Sequence, residues 1–307
     1  MQKIGYYRKS GELFLQNISL KKLADHYGTP TFIYDSNLIK NSFVLLKNIM
    51  DPLNGKIHFA VKSNDNLGII KYINSLGAGA DVVSIGELKR CLKVSVKPKD
   101  IIFSGVGKQK DEIEFAINKN IKQLNAESIE ELKDIIEISE KIKKRVNVAL
   151  RVNLDINAKT HQKISTGDEN SKFGIIYDDI VNAYKLINEA SFINPYGLAV
   201  HVGSQLFDYS VFFKTFSKIK NLAIELRNLG YEVNHLDLGG GFGIDYTMEN
   251  SLNYKSFSKA LNEVFKNEEF QLSVEPGRSL IAESGILLTK VIRTKSTNLK
   301  NFLIVDA

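Results

Sequence analysis

The chain has 307 residues, of which 43% are hydrophobic, 25% are charged and 9% are aromatic, a composition typical of a folded globular protein and too apolar for a disordered one. Its 41 basic and 35 acidic residues give a net charge of +6. Because the sequence has no basic stripe with interleaved aromatic residues, we do not expect it to bind nucleic acid. The single cysteine excludes a disulfide framework and a cysteine-rich zinc site, and it favours a reducing compartment.

The two ends of the sequence carry different signals. The first residues lack the pattern of a signal peptide, and no apolar run approaches about 18 residues, so we expect a cytoplasmic protein without a membrane segment. The last seven residues alternate like a strand and have no polar tail, whereas chains usually end in a solvated segment. We therefore expect the chain to be truncated at its carboxyl end.

The elements predicted in chain order fall into three groups. The first 30 residues predict two short strands, at 5–8 and 13–16, and a helix at 20–27. Eight β-branched runs follow, and most are separated by segments of helical spacing such as 112–117, 127–144 and 178–190. The runs cover residues 56–62, 79–83, 101–104, 122–125, 146–153, 197–203, 235–238 and 271–275. Beyond about residue 280 only strands are predicted, at 286–293 and 302–305.

The eight runs define the predicted fold. Each looks apolar enough to be covered on both faces, which is typical of a parallel α/β sheet. Eight strand–helix units in about 220 residues favour closure into a (β/α)8 barrel, with an open doubly wound sheet as the alternative. We predict that residues 1–30 form the amino-terminal part of a β-domain, residues 31–279 the barrel, and residues 280–307 the start of the carboxyl-terminal part of that β-domain.

Polar residues cluster where the predicted strands end. Barrels carry their reactive groups at the carboxyl ends of the strands. Those ends supply Lys62, Asp81, Arg151, His201, Ser204, the glycine run Gly239–Gly241, and Glu275. A lysine at the mouth of a barrel can bind a carbonyl compound covalently when its pKa is lowered, although a single strand-end lysine is more often simply solvated.

Two turns suggest an anion site. The run Gly239–Gly241 could turn several backbone N–H groups onto a phosphate, or it could make only a tight turn between strand and helix. In the second turn, Pro276 and Gly277 could aim Glu275 inward and leave Arg278 beside an anion. Taken together, a lysine, a phosphate cradle, a carboxylate and an imidazole predict a site for pyridoxal 5'-phosphate.

The remaining histidines and the cysteine are predicted to be structural. His26, His58, His161 and His235 have no partner at metal-ligand spacing, so no metal site is expected. Cys91 lies between apolar residues of a predicted helix at 86–93, where a core position is favoured over a nucleophile.

Six strings of the sequence carry a resemblance to a known family. They are HFAVKSN (58–64), GADVVSIGEL (79–88), STGDENSKFGI (165–175), HVGSQ (201–205), LDLGGGFGI (236–244) and EPGRSL (275–280). In this order they resemble the fold type III decarboxylases that depend on pyridoxal phosphate, and most closely the diaminopimelate decarboxylases. The resemblance covers essentially the whole chain.

The resemblance implies a role for each matched residue. Lys62 would hold the aldehyde of the cofactor, Glu275 would face the pyridine nitrogen, and His201 would stack on the ring. The other implied cofactor-binding residues are Ser204, Gly239, Gly240, Gly241, Pro276, Gly277 and Arg278, of which Arg278 would also contact the substrate, with Asp81, Glu87 and Arg151 as polar support.

The resemblance also ranks the possible reactions. Alanine racemases continue with an Asn-Ala-Tyr-Gly string that is absent after Lys62, and they place an arginine against the pyridine nitrogen, whereas Glu275 favours decarboxylation. Ornithine and arginine decarboxylases share the strings at 201–205 and 275–278, but the loop at 165–175 is more similar to the diaminopimelate enzymes. We therefore expect decarboxylation of meso-2,6-diaminopimelate to L-lysine and CO2, with an ornithine- or arginine-type activity second.

The family further implies a homodimer and a proton donor that this chain does not contain. The donor is a cysteine of a Cys–Glu element expected after residue 307, and Cys91 does not match it. The other open reading is therefore a truncated barrel that binds the cofactor but turns over little or no substrate.

Overall fold

The computed structural model of the protein describes residues 6–156, 172–246 and 254–307. The chain begins with a three-stranded sheet of order β1-β2-β3, formed by Tyr6–Lys9, Glu12–Leu15 and Ile18–Ser19. Helix α1 (Leu20–Tyr27) follows, and the Ser19 hydroxyl caps it by accepting a hydrogen bond from the backbone N–H of Lys22. Strand β4 (Thr31–Tyr34) and helix α2 (Ser36–Met50) then lead into the main body of the fold.

The main body is a closed parallel barrel. Its strands are β5 (Lys56–Ala60), β6 (Gly79–Val82), β7 (Ile101–Phe103), β8 (Gln123–Ala126), β9 (Val146–Asn153), β11 (Ile193–Ala199), β12 (His235–Asp237) and β13 (Gln271–Val274). Each strand pairs in parallel with the next, and β13 pairs with β5 to close the ring. Strand β10 (Ile175–Ile176) adds a short pairing to β9. The predicted barrel is therefore confirmed, and the open sheet is not.

Helices follow the strands and cover the barrel. They are α3 (Leu67–Ser75), α4 (Ile85–Lys93), α5 (Lys110–Asn118), α6 (Ile129–Ile142), α7 (Ile180–Glu189), α8 (Tyr209–Asn228), α9 (Lys255–Phe265) and α10 (Arg278–Ile281). Polar caps fix where they begin: the Ser84 hydroxyl accepts from the N–H of Glu87 at α4, and Ser128 does the same at α6. No helix among the described residues combines the length and the apolar character needed to cross a membrane.

The inside of the barrel is more polar than the sequence analysis predicted. We expected strands that are apolar on both faces, but residues two apart share a face, and one face of several strands is polar. The buried polar residues of the strands and of their carboxyl ends are His58, Asp81, Ser104, Gln123, Asn125, Glu127, Asn153, His235, Asp237 and Ser273. Barrel interiors are usually filled by branched apolar side chains. This interior instead has a polar centre enclosed by an apolar outer layer.

Two predicted strands differ from the structure. The strand expected at 197–203 begins and ends earlier, at Ile193–Ala199. Its first half contains Pro195, which the strand accommodates because the pairing with β9 is irregular there, with a register shift between Pro195 and Gly197. A proline in a strand is tolerated at such a bulge. The single strand expected at 286–293 is two strands, β14 (Gly285–Leu288) and β15 (Val291–Ser296), which pair with different partners.

The two ends of the chain form the flanking β-structure. Strand β14 pairs with β4 in antiparallel orientation, and β15 forms a hairpin with β16 (Asn301–Val305). The hydroxyl of Thr29 donates to the Asp306 carboxylate at 2.6 Å, and that of Tyr6 donates to the Ser284 carbonyl at 3.3 Å. Described segments from the first 30 and the last 30 residues therefore contact each other.

Candidate active site

A cavity of about 380 Å³ opens at the carboxyl end of the barrel, the end at which barrel enzymes carry their chemistry. Its lining includes Lys62, His201, Ser204, Gly241, Glu275, Gly277 and Arg278, which the sequence analysis had singled out, together with Ala60, Ser63, Gln205, Phe242, Tyr246, Ser279, Ile281 and Ala282. The fold thus brings residues from four of its strand ends to one cavity.

Lys62 lies in a single helical turn, Val61–Ser63, directly after strand β5. The hydroxyl of Ser63 donates to the Ala60 carbonyl at 2.7 Å and so closes this turn. The positive charge of Lys62 acts on the carboxyl groups of Asp81 and Glu275, whose pKa values it lowers. The amine is therefore close enough to these acids for its charge to act on them, while the Lys62 residue itself is exposed.

Three carboxyl groups lie together at the cavity floor: Asp81 on β6 and Asp237 on β12 are buried, and the partly buried Glu275 after β13 lines the cavity. Burial raises the pKa of Asp81 to about 6, although the charge of Lys62 opposes the rise. Burial also raises the pKa of Glu275 well above its usual range, and the nearby charges of Asp237 and Asp81 add to the rise. Neither oxygen of Asp81 has a hydrogen-bond partner among the described residues, which leaves this carboxylate to the lysine above it.

His201 follows β11 and is held by the glycine turn beside it. Its Nδ1 accepts a hydrogen bond of 3.2 Å from the backbone N–H of Gly240, so in the neutral ring the proton is on Nε2. Burial lowers the pKa of His201 well below its usual range, and the charges of Lys62 and Arg151 lower it further. The ring therefore offers the cavity an uncharged aromatic face.

The glycine run at 239–241 is required by the packing of the backbone. A Cβ would come within 2.2 Å of the Val200 carbonyl oxygen at Gly239 and within 2.0 Å of the Gly203 carbonyl oxygen at Gly241. Both glycines also have positive φ, at +68° and +83°. Gly241 lines the cavity, and Gly239 and Gly240 lie behind it. The tight-turn interpretation therefore accounts for all three glycines, and phosphate binding by them stays a prediction.

Arg278 and Ser204 supply polar groups at the rim of the cavity. Arg278 begins α10 directly after Gly277, and its side chain is exposed. Its Nη1 donates to the hydroxyl of Tyr246 at 3.1 Å. A guanidinium and a hydroxyl at one rim can hold an anion such as a phosphate or a carboxylate.

Arg151, Glu87 and Pro276 stand outside the lining. Arg151 pairs with Glu127 at 2.8 Å and lies 4.7 Å from the centre of the Phe173 ring, yet its charge still lowers the pKa of Glu275. Glu87 accepts from the backbone N–H of Val83 at 2.9 Å, and burial raises its pKa. The side chains of Arg151 and Glu87 therefore lie behind the surface of the cavity and do not line it.

Several residues beneath the cavity were not predicted from the sequence. The ones that matter most are Asp237, Ser104 and Asn125, together with Glu127, which holds Arg151 and also accepts from the N–H groups of Gly105 and Gly174. The signal that could have found them is an alternation of period two, since positions 123, 125 and 127 are all polar, as are 235 and 237.

The other predicted histidines and Cys91 stay out of the cavity. His58 and His235 are buried inside the barrel and His26 is exposed, while His161 and positions 165–171 of the predicted loop lie outside the described residues. Cys91 is buried in α4, and burial raises its pKa to about 12, so it is a core residue as predicted. Within the described ranges, no group of three His, Cys, Asp or Glu residues could hold a metal ion.

Comparisons with known proteins agree on one family. Residues 37–282 match the model of the pyridoxal binding domain of pyridoxal-dependent decarboxylases. The chain is 40% identical over 295 residues to the diaminopimelate decarboxylase of Neisseria meningitidis serogroup B, covering 96% of this chain and 71% of that protein.

Solved structures give the same result. The crystal structure of the Helicobacter pylori diaminopimelate decarboxylase complexed with L-lysine is similar with a TM-score of 0.90 and 36% identity, over 94% of this chain and 73% of that one. The M. jannaschii enzyme in co-complex with L-lysine gives a TM-score of 0.92 and 34% identity, over 98% and 73% of the two chains.

The residues at the cavity fit pyridoxal phosphate. The amine of Lys62 is matched by the unpartnered carboxylate of Asp81 below it, the ring of His201 is neutral, and Glu275 opens onto the same cavity. Arg278 and Ser204 provide an anion-binding rim. An aldehyde, an aromatic ring, a ring nitrogen and a phosphate would each meet a suitable group here.

Proposed function

The chain belongs to the diaminopimelate decarboxylases, within the pyridoxal-dependent decarboxylases, and from this premise we propose that it removes a carboxylate from meso-2,6-diaminopimelate to give L-lysine and CO2. The observation that carries the proposal is the cavity on which Lys62, His201 and Glu275 converge at the carboxyl end of the barrel. The substrate is supported by a relative named diaminopimelate decarboxylase, to which the chain is 40% identical over nearly its whole length.

Bound pyridoxal phosphate supplies an aldehyde that links to an amine and a ring that accepts the electron pair left when CO2 departs. Lys62 would contribute the amine that holds the cofactor. We assign to Asp81 the role of balancing the charge of this amine from below, which is supported by its burial and by the lowering of its pKa by the charge of Lys62.

Glu275 and His201 would hold the cofactor ring from two directions. An ionised Glu275 would accept a hydrogen bond from the ring nitrogen, which would keep the ring able to take up negative charge. His201 would pack on the ring face, and its hydrogen bond from Gly240 holds the imidazole plane in place. Arg151, held by Glu127, adds a fixed positive charge behind the site.

The rim holds the charged ends of the bound molecules. We assign the phosphate to Ser204, Gly240, Gly277 and Arg278, with Gly239, Gly241 and Pro276 shaping the two turns, and we assign a substrate carboxylate to Arg278. The support is that Arg278 is an exposed cation at the rim and is steadied by the Tyr246 hydroxyl.

Three wider proposals rest on the family. We propose a homodimer in the cytoplasm, and a division into an amino-terminal segment at 1–30, a cofactor-binding barrel at 31–279 and a second β-segment at 280–307. The single cysteine supports a reducing compartment. The pairing of β4 with β14 supports a close association of the barrel entry with the second β-segment.

The test is an assay of CO2 release with purified protein and pyridoxal phosphate. We expect release from meso-diaminopimelate, much less from ornithine or arginine, and none from the Lys62→Ala variant. Lys56→Ala is the matched control, because Lys56 lies at the opposite end of the same strand. Equal release from ornithine or arginine, or full activity of Lys62→Ala, would contradict the proposal.

A further inference from the structure

A line of uncharged polar groups crosses the inside of the barrel and ends at Glu275. Gln123 and Asn125 lie two residues apart on β8 and so share the inward face. Ser104 directly follows β7. All three side chains are buried, with at most 5% exposed, and the proposed reaction has so far given them no part.

The hydrogen bonds of this line all run from Gln123 toward Glu275, with each side chain donating to the next. Nε2 of Gln123 donates to Oδ1 of Asn125 at 2.7 Å, and Nδ2 of Asn125 donates to Oγ of Ser104 at 3.0 Å. Oγ of Ser104 donates to Oε1 of Glu275 at 3.5 Å. Because the Ser104 oxygen already accepts from Asn125, its one hydrogen is directed to a carboxylate.

Ser104 stands between two buried acids. The Ser104 hydroxyl lies close enough to Asp81 to lower the pKa of that carboxyl, and it donates to Oε1 of Glu275. The charged groups that face Glu275 come from five elements or their ends: Asp81, Asp237, Lys62, Arg151 and Lys122. Burial and the two acid neighbours disfavour the ionised form of Glu275, and a neutral donor favours it without adding charge.

We propose that Gln123, Asn125 and Ser104 are positioning residues that deliver one hydrogen-bond donor to Glu275, beside Asp81, and thereby hold Glu275 as the ionised partner of the cofactor ring. The proposal rests on the proposed function, in which Glu275 faces the ring nitrogen. Without the donor, Glu275 retains a proton to higher pH, and a protonated carboxyl is a weaker acceptor for the ring N–H. Cofactor binding should then depend more strongly on pH.

The experiment is a titration of the cofactor-free chain with pyridoxal phosphate, followed by absorbance and repeated across the pH range in which the chain stays folded. We expect Ser104→Ala to weaken binding about tenfold near neutral pH. The midpoint of its pH dependence should move upward, and the difference should shrink at high pH, where Glu275 is ionised in both proteins. Ser104→Thr retains the hydroxyl and should restore the affinity and the midpoint.

The controls separate positioning from folding. Ser139→Ala removes another buried serine hydroxyl, which donates to the Ile136 carbonyl in α6, and should leave both the affinity and the midpoint unchanged. Asn125→Ala keeps Ser104 but removes the bond that directs its hydrogen, and the midpoint should move in the same direction by less. If Ser104→Ala does not fold, Asn125→Ala and Ser104→Thr decide the question.

Three results would overturn the proposal, in two distinguishable ways. Wild-type affinity and an unmoved midpoint in Ser104→Ala, or in Asn125→Ala should Ser104→Ala not fold, would remove the positioning role while the cofactor site stands. A failure of Ser104→Thr to restore the midpoint would do the same. If the wild-type chain itself does not bind pyridoxal phosphate, the proposed function fails and the positioning role falls with it.

Discussion

Several residues at the site lower the stability of the fold while they serve its proposed chemistry. Asp81, Asp237 and Glu275 are buried close together, which costs stability while the cavity holds no cofactor. The sequence alone pointed to Lys62, Asp81 and Glu275, because each stands at a strand end. It did not point to Asp237 or Ser104, because their importance comes from contacts between strands that are distant in the chain.

Glu275→Gln should separate cofactor binding from turnover. A neutral amide has the size of the carboxyl but cannot hold the ring nitrogen protonated, so we expect kcat to fall by about 10²–10³-fold. The cofactor should still bind within about tenfold of wild type, since Lys62 and the rim are intact. Steady-state kinetics and a cofactor titration measure the two effects. Unchanged kcat would show that Glu275 is not the ring partner.

The buried Asp81 predicts an unusual dependence of stability on pH. Its pKa rises from 3.8 to about 6 on burial, so between these values the folded chain holds a proton that the unfolded chain has lost. The stability that this proton gives is complete below about pH 4 and is lost as the pH rises through 6, by about 3 kcal/mol.

Urea unfolding of the cofactor-free chain at several pH values measures this loss. Asp81→Asn should reduce the slope between pH 4 and 6, to which the raised pKa values of Glu275 and Glu87 also contribute. Asp51→Asn, which removes an exposed carboxylate paired with Lys47, should keep the slope. A slope that is the same in Asp81→Asn and wild type would mean that Asp81 does not titrate in this range.

At the scale of elements, the alternation of strand and helix was sufficient to predict the barrel. Most strand bounds agree within two residues, because β-branched runs and helix caps are local signals. The predicted bounds of β11 were shifted because Pro195 lies in its first half, where a strand is not expected from the sequence. Strands β14 and β15 were predicted as a single strand because their partners, β4 and β16, are set by tertiary pairing. The polar inner face was missed because it depends on which side of each strand is turned to the axis.

The turn after β12 gives a prediction at this scale. Gly241→Ala would place a Cβ about 2.0 Å from the Gly203 carbonyl oxygen and force a residue with a side chain to φ +83°. We expect a loss of about 3 kcal/mol of stability. Gly107→Ala is the control, since no atom lies within 4 Å of its Cβ position, and it should be close to neutral in thermal unfolding.

For Gly241→Ala, a free energy of unfolding equal to that of wild type would show that the turn has room to move. A loss of stability in Gly107→Ala of the same size would show that the cost does not come from the packing of the turn.

At the scale of the whole molecule, Cys91 reports on opening of the barrel wall. The thiol is fully buried in α4, and its pKa is raised to about 12 by burial, so a thiol reagent should label it only when the packing opens. We expect slow labelling of the native chain, faster labelling in Gly241→Ala, and slower labelling with pyridoxal phosphate bound. Rapid labelling of the native protein would contradict the closed barrel.

The central claim is that Lys62 is the residue that binds the cofactor. The most direct test is to mix the chain with pyridoxal phosphate, reduce the adduct with borohydride, digest the protein and locate the modified lysine by mass spectrometry. The account predicts that the label is on Lys62, and that it is lost in Lys62→Ala and kept in Lys56→Ala. A label spread over surface lysines, or one that persists in Lys62→Ala, would contradict it.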